Sequence, residues 1–114
     1  MSNSLSIDQL ALSFPETTAE PHFEKVSYRV RKKIFATRLP GAESITVKLS
    51  AIDQDVFVSV APDHIAPVTN KWGKQGWTEV AYTQIHPDML RDVLTTAYCT
   101  VAPEVLASKV RRAD

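Results

Sequence analysis

Two clusters of side chains in this sequence could do chemistry. The first is basic: Arg29, Arg31, Lys32, Lys33 and Arg38 fall within one short span. The second sets an indole among cations: Lys71, Trp72 and Lys74. Guanidinium and ammonium groups presented from one surface neutralise phosphates and release condensed counterions, so such a surface binds nucleic acid with an affinity that falls as salt rises. An indole beside lysines adds a face on which a base can stack, or a partner for a cation. Each cluster also has a plainer reading. Lysines along a β-hairpin shield an edge strand from pairing with other chains. A tryptophan followed by glycine in a loop closes the rim of a core, and Trp77, at the head of an apolar run, is expected inside it.

The other candidates do not assemble into a site. His22, His64 and His86 show neither His-x3-His nor His-Glu-x-x-His spacing. His22 with Glu20 and Glu24 offers ligands for a hard or borderline metal, without the spacing of a stable centre. Cys99 falls in the last turns of an expected helix, where the dipole disfavours a thiolate, so it reads as a small hydrophobe. With three glycines in the chain there is no phosphate-cradling loop, and Gly73-Lys74-Gln75-Gly76 lacks the length and context of one. No nucleophile elbow occurs. No catalytic, cofactor or metal set is assigned, and the expectation is a protein that binds without catalysing.

Composition narrows the classes further. Lys plus Arg number 13 and Asp plus Glu 13, a formal net charge of 0. That argues against a generic polyanion binder and confines any phosphate contact to a local patch. A chain of 114 residues suits a single domain, 1–114, with its core over about 6–110 and a short frayed C-terminal tail. Folding at this size buries roughly two-thirds of the unfolded surface, enough for a core without crosslinks. One cysteine excludes an internal disulfide and suits a reducing cytoplasm. No secretory signal is visible, and no apolar run approaches the ~20 residues that span a bilayer.

The elements that must position the two clusters are legible as periodicities. Ile7, Leu10, Ala11 and Phe14 share one helical face; Ser6 and Gln9 fit a capping box, and Pro15 ends the helix. Residues 16–24, polar and interrupted by Pro21, read as loop. Val26, Tyr28 and Val30 alternate with Ser27, Arg29 and Arg31, and Ile34 to Leu39 follows the basic turn Arg31-Lys32-Lys33. Together they predict an antiparallel hairpin whose tip lacks Asn-Gly or Asp-Gly. After the Pro40-Gly41 turn, Ile45, Val47 and Leu49 alternate with Thr46 and Lys48, a strand with one wet face. Residues 51–61 fit a helix through Ile52, Val56, Phe57 and Val60, or a strand through Val56, Val58 and Val60. Residues 62–71, with Pro62 and Pro67, read as loop, and Trp77 to Tyr82 as strand. His86-Pro87-Asp88 opens a helix with an apolar face through Met89, Leu90, Val93, Leu94, Ala97, Tyr98 and Val101. Pro103 stops it and opens a short final helix to Val110. The order predicts an α+β two-layer domain with an antiparallel sheet.

Four pieces, in this order, resemble the MmcQ/YjbR family, uncharacterised bacterial proteins with a CyaY-like fold. They are the helix closed by Leu12-Ser13-Phe14-Pro15-Glu16, the hairpin Val26-Ser27-Tyr28-Arg29-Val30 through Lys33-Ile34-Phe35-Ala36, the stretch Gly73-Lys74-Gln75-Gly76-Trp77-Thr78-Glu79-Val80, and Ala97-Tyr98-Cys99-Thr100-Val101-Ala102-Pro103. The resemblance spans about residues 6–110. It implies a two-layer sandwich, an antiparallel sheet of about four or five strands with helices packed on one face. It turns residues 51–61 toward helix, although members are more plainly helical and polar there than Asp53 to Val60. Members are usually small cytoplasmic proteins, a double-wing DNA-binding role has been suggested for them, and no catalytic residues are established. Iron delivery does not follow from the fold name: the first helix carries only Asp8, where the frataxin CyaY uses an acidic ridge.

Two functions of different class remain open. In the first, Arg29, Arg31, Lys32, Lys33 and Arg38 form one wing and Lys71, Trp72 and Lys74 a second, against double-stranded DNA. In the second, the chain is a small-molecule binding or sequestering protein, or a protein-interaction domain, with a ligand between sheet and helices beside Trp72, Tyr82 and Tyr98.

Overall fold

The computed structural model describes residues 3–113, with side chains from Ile7 to Val110. The chain runs α1 (Asn3–Leu12), β1 (Thr17–His22), β2 (Lys25–Val30), β3 (Lys33–Arg38), β4 (Ile45–Lys48), α2 (Ala51–Val60), β5 (Ile65–Pro67), α3 (Lys71–Lys74), β6 (Trp77–Val80), α4 (Pro87–Val101) and α5 (Glu104–Ala113). The strands form one antiparallel sheet in the order β1-β2-β3-β4-β6-β5. The architecture is the expected α+β sandwich, with six strands rather than four or five.

Both extra strands come from segments that read as loop. Residues 17–22 pair with β2 from Thr17↔Val30 to His22↔Lys25. This strand lies at the sheet edge, where a polar composition is normal and Pro21 needs no donor on its free side. Residues 65–67 pair with β6 at the opposite edge, where the short strand carries Pro67. Helix boundaries differ from the periodicity as well. α1 begins at Asn3, so Ser6 lies within the helix instead of capping it, and its side chain is outside those described. The last helix runs on to Ala113. α2 is a helix: Ser50 caps it, its Oγ accepting from the Asp53 N–H at 3.1 Å. His86 caps α4, with Pro87 in the first turn as the sequence predicts.

One bulge sets which face each side chain of β3 takes. Tyr28 pairs with Ala36, but Arg29 pairs with Ile34, so Phe35 is an extra residue. Phe35 and Ala36 therefore both turn into the core, and both are fully buried. Phe35 meets Phe14 edge-on at 6.1 Å and Tyr98 edge-on at 5.5 Å, and Phe14 stacks on Tyr98 at 5.0 Å. This aromatic triad joins the end of α1, the centre of the sheet and α4. Tyr98 also donates to the Pro15 carbonyl at 2.6 Å, satisfying its hydroxyl inside the core. The β2–β3 turn is a two-residue connection, Arg31-Lys32, with φ of +49° and +72°. That is the geometry a tight hairpin wants and that Asn-Gly supplies without strain. Lys32→Gly is expected to stabilise the protein by about 1 kcal/mol. In urea melts the midpoint rises while the slope is unchanged.

A polar chain threads the core under α1. The Tyr28 hydroxyl donates to Asp8 at 2.8 Å and accepts from Arg38 Nε at 3.3 Å. Burial pushes the Tyr28 hydroxyl up to about 12; the Arg38 hydrogen bond opposes the shift and Asp8 adds to it. The unfolded phenol ionises near pH 10 while the folded one keeps its proton, so stability falls as pH rises from about 10 to about 12, by up to ~1.4 kcal/mol per unit. Denaturant melts at pH 9.5 and 11.5 are expected to show this loss, and Tyr28→Phe, less stable at neutral pH, to show a smaller one.

Candidate functional site

Each strand alternates apolar and polar residues, so the sheet has two unlike faces. Tyr28, Val30, Ala36, Val47 and Val80 face the helices and are fully buried. On the other face a row of direct partners crosses the whole sheet: Glu20, Ser27, Thr37, Thr46, Glu79 and Ala66. Along this face runs a groove of about 470 Å³, lined by His22 and Lys25 at one end, Ile34, Thr37, Thr46 and Glu79 along its floor, and Val68, Asn70, Trp72 and Trp77 at the other.

The tryptophan end is built by two close backbone approaches, of Gly73 to Val68 and of Gly76 to Leu49. A Cβ on Gly73 would sit 2.0 Å from the carbonyl oxygen of Val68, the residue just after β5, so only glycine lets α3 fold down there. Asn70 caps the short helix, its Oδ1 accepting from the Trp72 N–H at 2.9 Å. Gln54 of α2 clamps the segment from below: its Nε2 donates to the Gly73 carbonyl and Thr78 Oγ1 at 3.0 Å each and lies 3.3 Å from the Trp77 carbonyl. Trp72, 49% exposed, overhangs the groove with the Lys71 ammonium 5.7 Å from its ring centre. Trp77 departs from expectation. It is not in the core but half-buried on the open face, because β6 places Thr78 and Val80 inward and Trp77 and Glu79 outward. Lys48, its direct partner on β4, lies 5.6 Å from its ring centre and donates to the Gln75 carbonyl. At the far end of the groove, Phe23 begins the β1–β2 turn at φ +60°, is 92% exposed and meets the His22 ring at 5.0 Å.

The seven cations and one indole that the sequence singles out do not form one surface. Arg38 is buried on the helix side, bonded to Tyr28, because the bulge turns it inward. Arg29 lies on the open face but donates to Ser27 Oγ at 2.8 Å and sits 4.0 Å from Glu20. Arg31 makes a two-pronged contact with Glu16, at 3.0 and 3.2 Å, and this hydrogen bond holds the Glu16 carboxyl below its usual range. Lys32 and Lys33 stand exposed at the hairpin tip, and Lys71, Trp72 and Lys74 stand together on α3. Between sheet and helices, Tyr98 is fully buried among aromatic rings and Tyr82 is 5% exposed, donating to the Ala42 carbonyl, so neither ring is presented to a ligand there. His22 and Glu79 were not marked by the sequence as groove residues, since nothing local shows that β1 and β6 present them on the same face.

Among the described residues, no group of three His, Cys, Asp or Glu side chains is arranged to hold a metal ion, and no helix is long and apolar enough to cross a membrane.

The YjbR family model matches residues 12–100 of the chain. The crystal structure of the Deinococcus radiodurans protein DR2400, whose family-model domain is DUF419, is similar to this fold, with a TM-score of 0.75 over 97% of this chain and 89% of that one, at 15% identity. No curated protein matches the sequence.

Proposed function

This chain belongs to the YjbR family, and we propose that it is a non-catalytic binding module whose ligand lies on the open face of the sheet. The observation that carries this reading is the groove between the helix bearing Trp72 and the β1–β2 hairpin. Its volume of about 470 Å³ falls in the range of small-molecule sites, and two indoles with a few convergent polar groups are the lining such sites use. The ligand class this favours is planar and aromatic, because the polarisable surface on offer is indole. A reducing compartment such as the cytoplasm suits the single half-buried cysteine.

The test is quenching of tryptophan fluorescence by planar heterocycles, with adenosine as the neutral reference probe. Wild-type protein is expected to quench saturably with little dependence on salt. Trp72→Ala, a change at an exposed side chain, is expected to weaken binding by roughly five- to a hundredfold, the range of a lost stacking contact. Absence of saturable quenching by any planar probe overturns the reading.

A second reading keeps double-stranded DNA as partner. Lys32 and Lys33 at one hairpin tip and Lys71 and Lys74 around Trp72 support it, with Arg29, Arg31 and Arg38 withdrawn from the contact by their own partners. It predicts anisotropy of labelled duplex that collapses with salt and with Lys32→Glu. An unchanged duplex signal at low salt removes it.

A further inference from the structure

The two ends of the groove differ in chemistry, and this names a more particular ligand. Ser27, Thr37, Thr46 and Glu79 mark one level across the sheet; Lys25 lies two residues to one side of that level and Trp77 two residues to the other. The groove is therefore diagonal, which is where a twisted sheet is concave. Three strand spacings across and four residues along put the Lys25 and Trp77 Cα atoms roughly 20 Å apart, and the two long side chains reaching inward leave on the order of 10 Å. One end is aromatic: Trp72 and Trp77, with Val68 and the Asn70 amide. The other is cationic or hydrogen-bonding: Lys25 and its cross-strand partner His22. Between them stand two threonine hydroxyls and the Glu79 carboxylate, one oxygen of which accepts from Ser44 at 3.2 Å. Glu79 adjoins Trp77, lines the groove and repels an anion at that end; Glu20, two residues from His22, does not line the groove and sits 4.0 Å from the Arg29 guanidinium. Of the lysines there, Lys48 and Lys71 lie over the indole rings, and Lys74 does not line the groove.

Resting on the open-face reading, we propose that the groove takes a nucleotide unit, its base against Trp72 and Trp77 and its phosphate at His22 and Lys25. The Thr37 and Thr46 hydroxyls and Glu79 then meet the sugar and the amino or imino hydrogens of the base. The same unit could arrive free or within a single strand, and the experiment separates the two.

Adenosine, adenosine monophosphate and a single-stranded oligodeoxyadenylate tetramer are titrated by tryptophan fluorescence against wild type and Lys25→Ala, with circular dichroism confirming the fold of the variant. The monophosphate is expected to bind about tenfold more tightly than adenosine, the effect of one charge-assisted contact. In Lys25→Ala the ratio of the two affinities is expected to fall to about one. Equal affinity for adenosine and its monophosphate, or an advantage that survives in Lys25→Ala, overturns the nucleotide assignment and leaves the open-face site standing. Absence of saturable quenching of the wild type by adenosine, its monophosphate and every other planar probe removes both. A tetramer that binds more tightly than the monophosphate, and depends on Lys25, supports a single strand as the source; a tetramer no tighter supports the free nucleotide.

Discussion

Gly76→Ala is expected to cost at least about 3 kcal/mol, a large share of the ~5–15 kcal/mol that holds an ordinary domain folded. Gly76 has φ +102°, outside the range where a side chain is comfortable, and a Cβ there would lie 1.9 Å from the Leu49 carbonyl oxygen. Neither strand can withdraw without loss. The Gly76 carbonyl accepts from the Leu49 N–H at 2.9 Å, and the next residues, Trp77 and Thr78, pair with Lys48 and Val47. Gly41→Ala is the matched control. Its φ is +84°, but nothing lies within 4 Å of a Cβ built there, so only the dihedral cost of about 1 kcal/mol applies. Chemical denaturation of both variants separates the two contributions. Equal losses would mean that the β4–β6 register gives way instead of resisting. The functional consequence lies in the same place, because Gly76 ends the segment that hangs Trp72 over the groove.

Phe35→Ala is expected to destabilise by about 3–5 kcal/mol. The ring is fully buried and bears on Phe14 and Tyr98 at once, so removing it opens a cavity between sheet, α1 and α4 and forfeits two edge-to-face contacts. Phe35→Leu keeps most of the apolar volume and is expected to lose less, by roughly half. Thermal melts measure both. A small loss in Phe35→Ala would mean that β3 can shed its bulge and refill the space with Ile34, which now lines the groove floor. Groove binding would then fall along with the fold's distinct faces, so the same variant ties packing to the proposed site.

Much of the architecture was legible because it rests on local pattern. The α4 face from Met89 to Val101, the Pro87 start and the alternation of Ile45 to Leu49 need no tertiary information, since each buries one stripe at its own period. The β1 and β5 strands were not legible, because edge strands are held by backbone pairing and tolerate polar residues and proline. Residues 51–61 were ambiguous for a related reason. Ile52, Val56 and Val60 are exposed on α2, and only Phe57 is buried, so the apolar positions do not mark a core face. The resemblance, not the periodicity, pointed to helix there.

The candidate site was legible in part. Trp72 with its lysines was singled out and stands at the groove. The sequence also singles out Arg38, which is buried, and points Trp77 into the core, where it is not found. Both differences follow from strand phase. A period of two assigns faces only until an extra residue enters, and Phe35 is that residue in β3.

By itself, the sequence determined an α+β fold with an antiparallel sheet, an amphipathic helix after the last strand and turns at Gly73 and Gly76, because turn chemistry and hydrophobic period act over a few neighbouring residues. Only the tertiary structure decided which cations are free, which are spent on Glu16, Glu20 and Tyr28, and that His22, Thr46, Glu79 and Trp72 share one concave face. Those facts depend on strand order and register, which bring together residues far apart in the chain through pairings that no local pattern encodes.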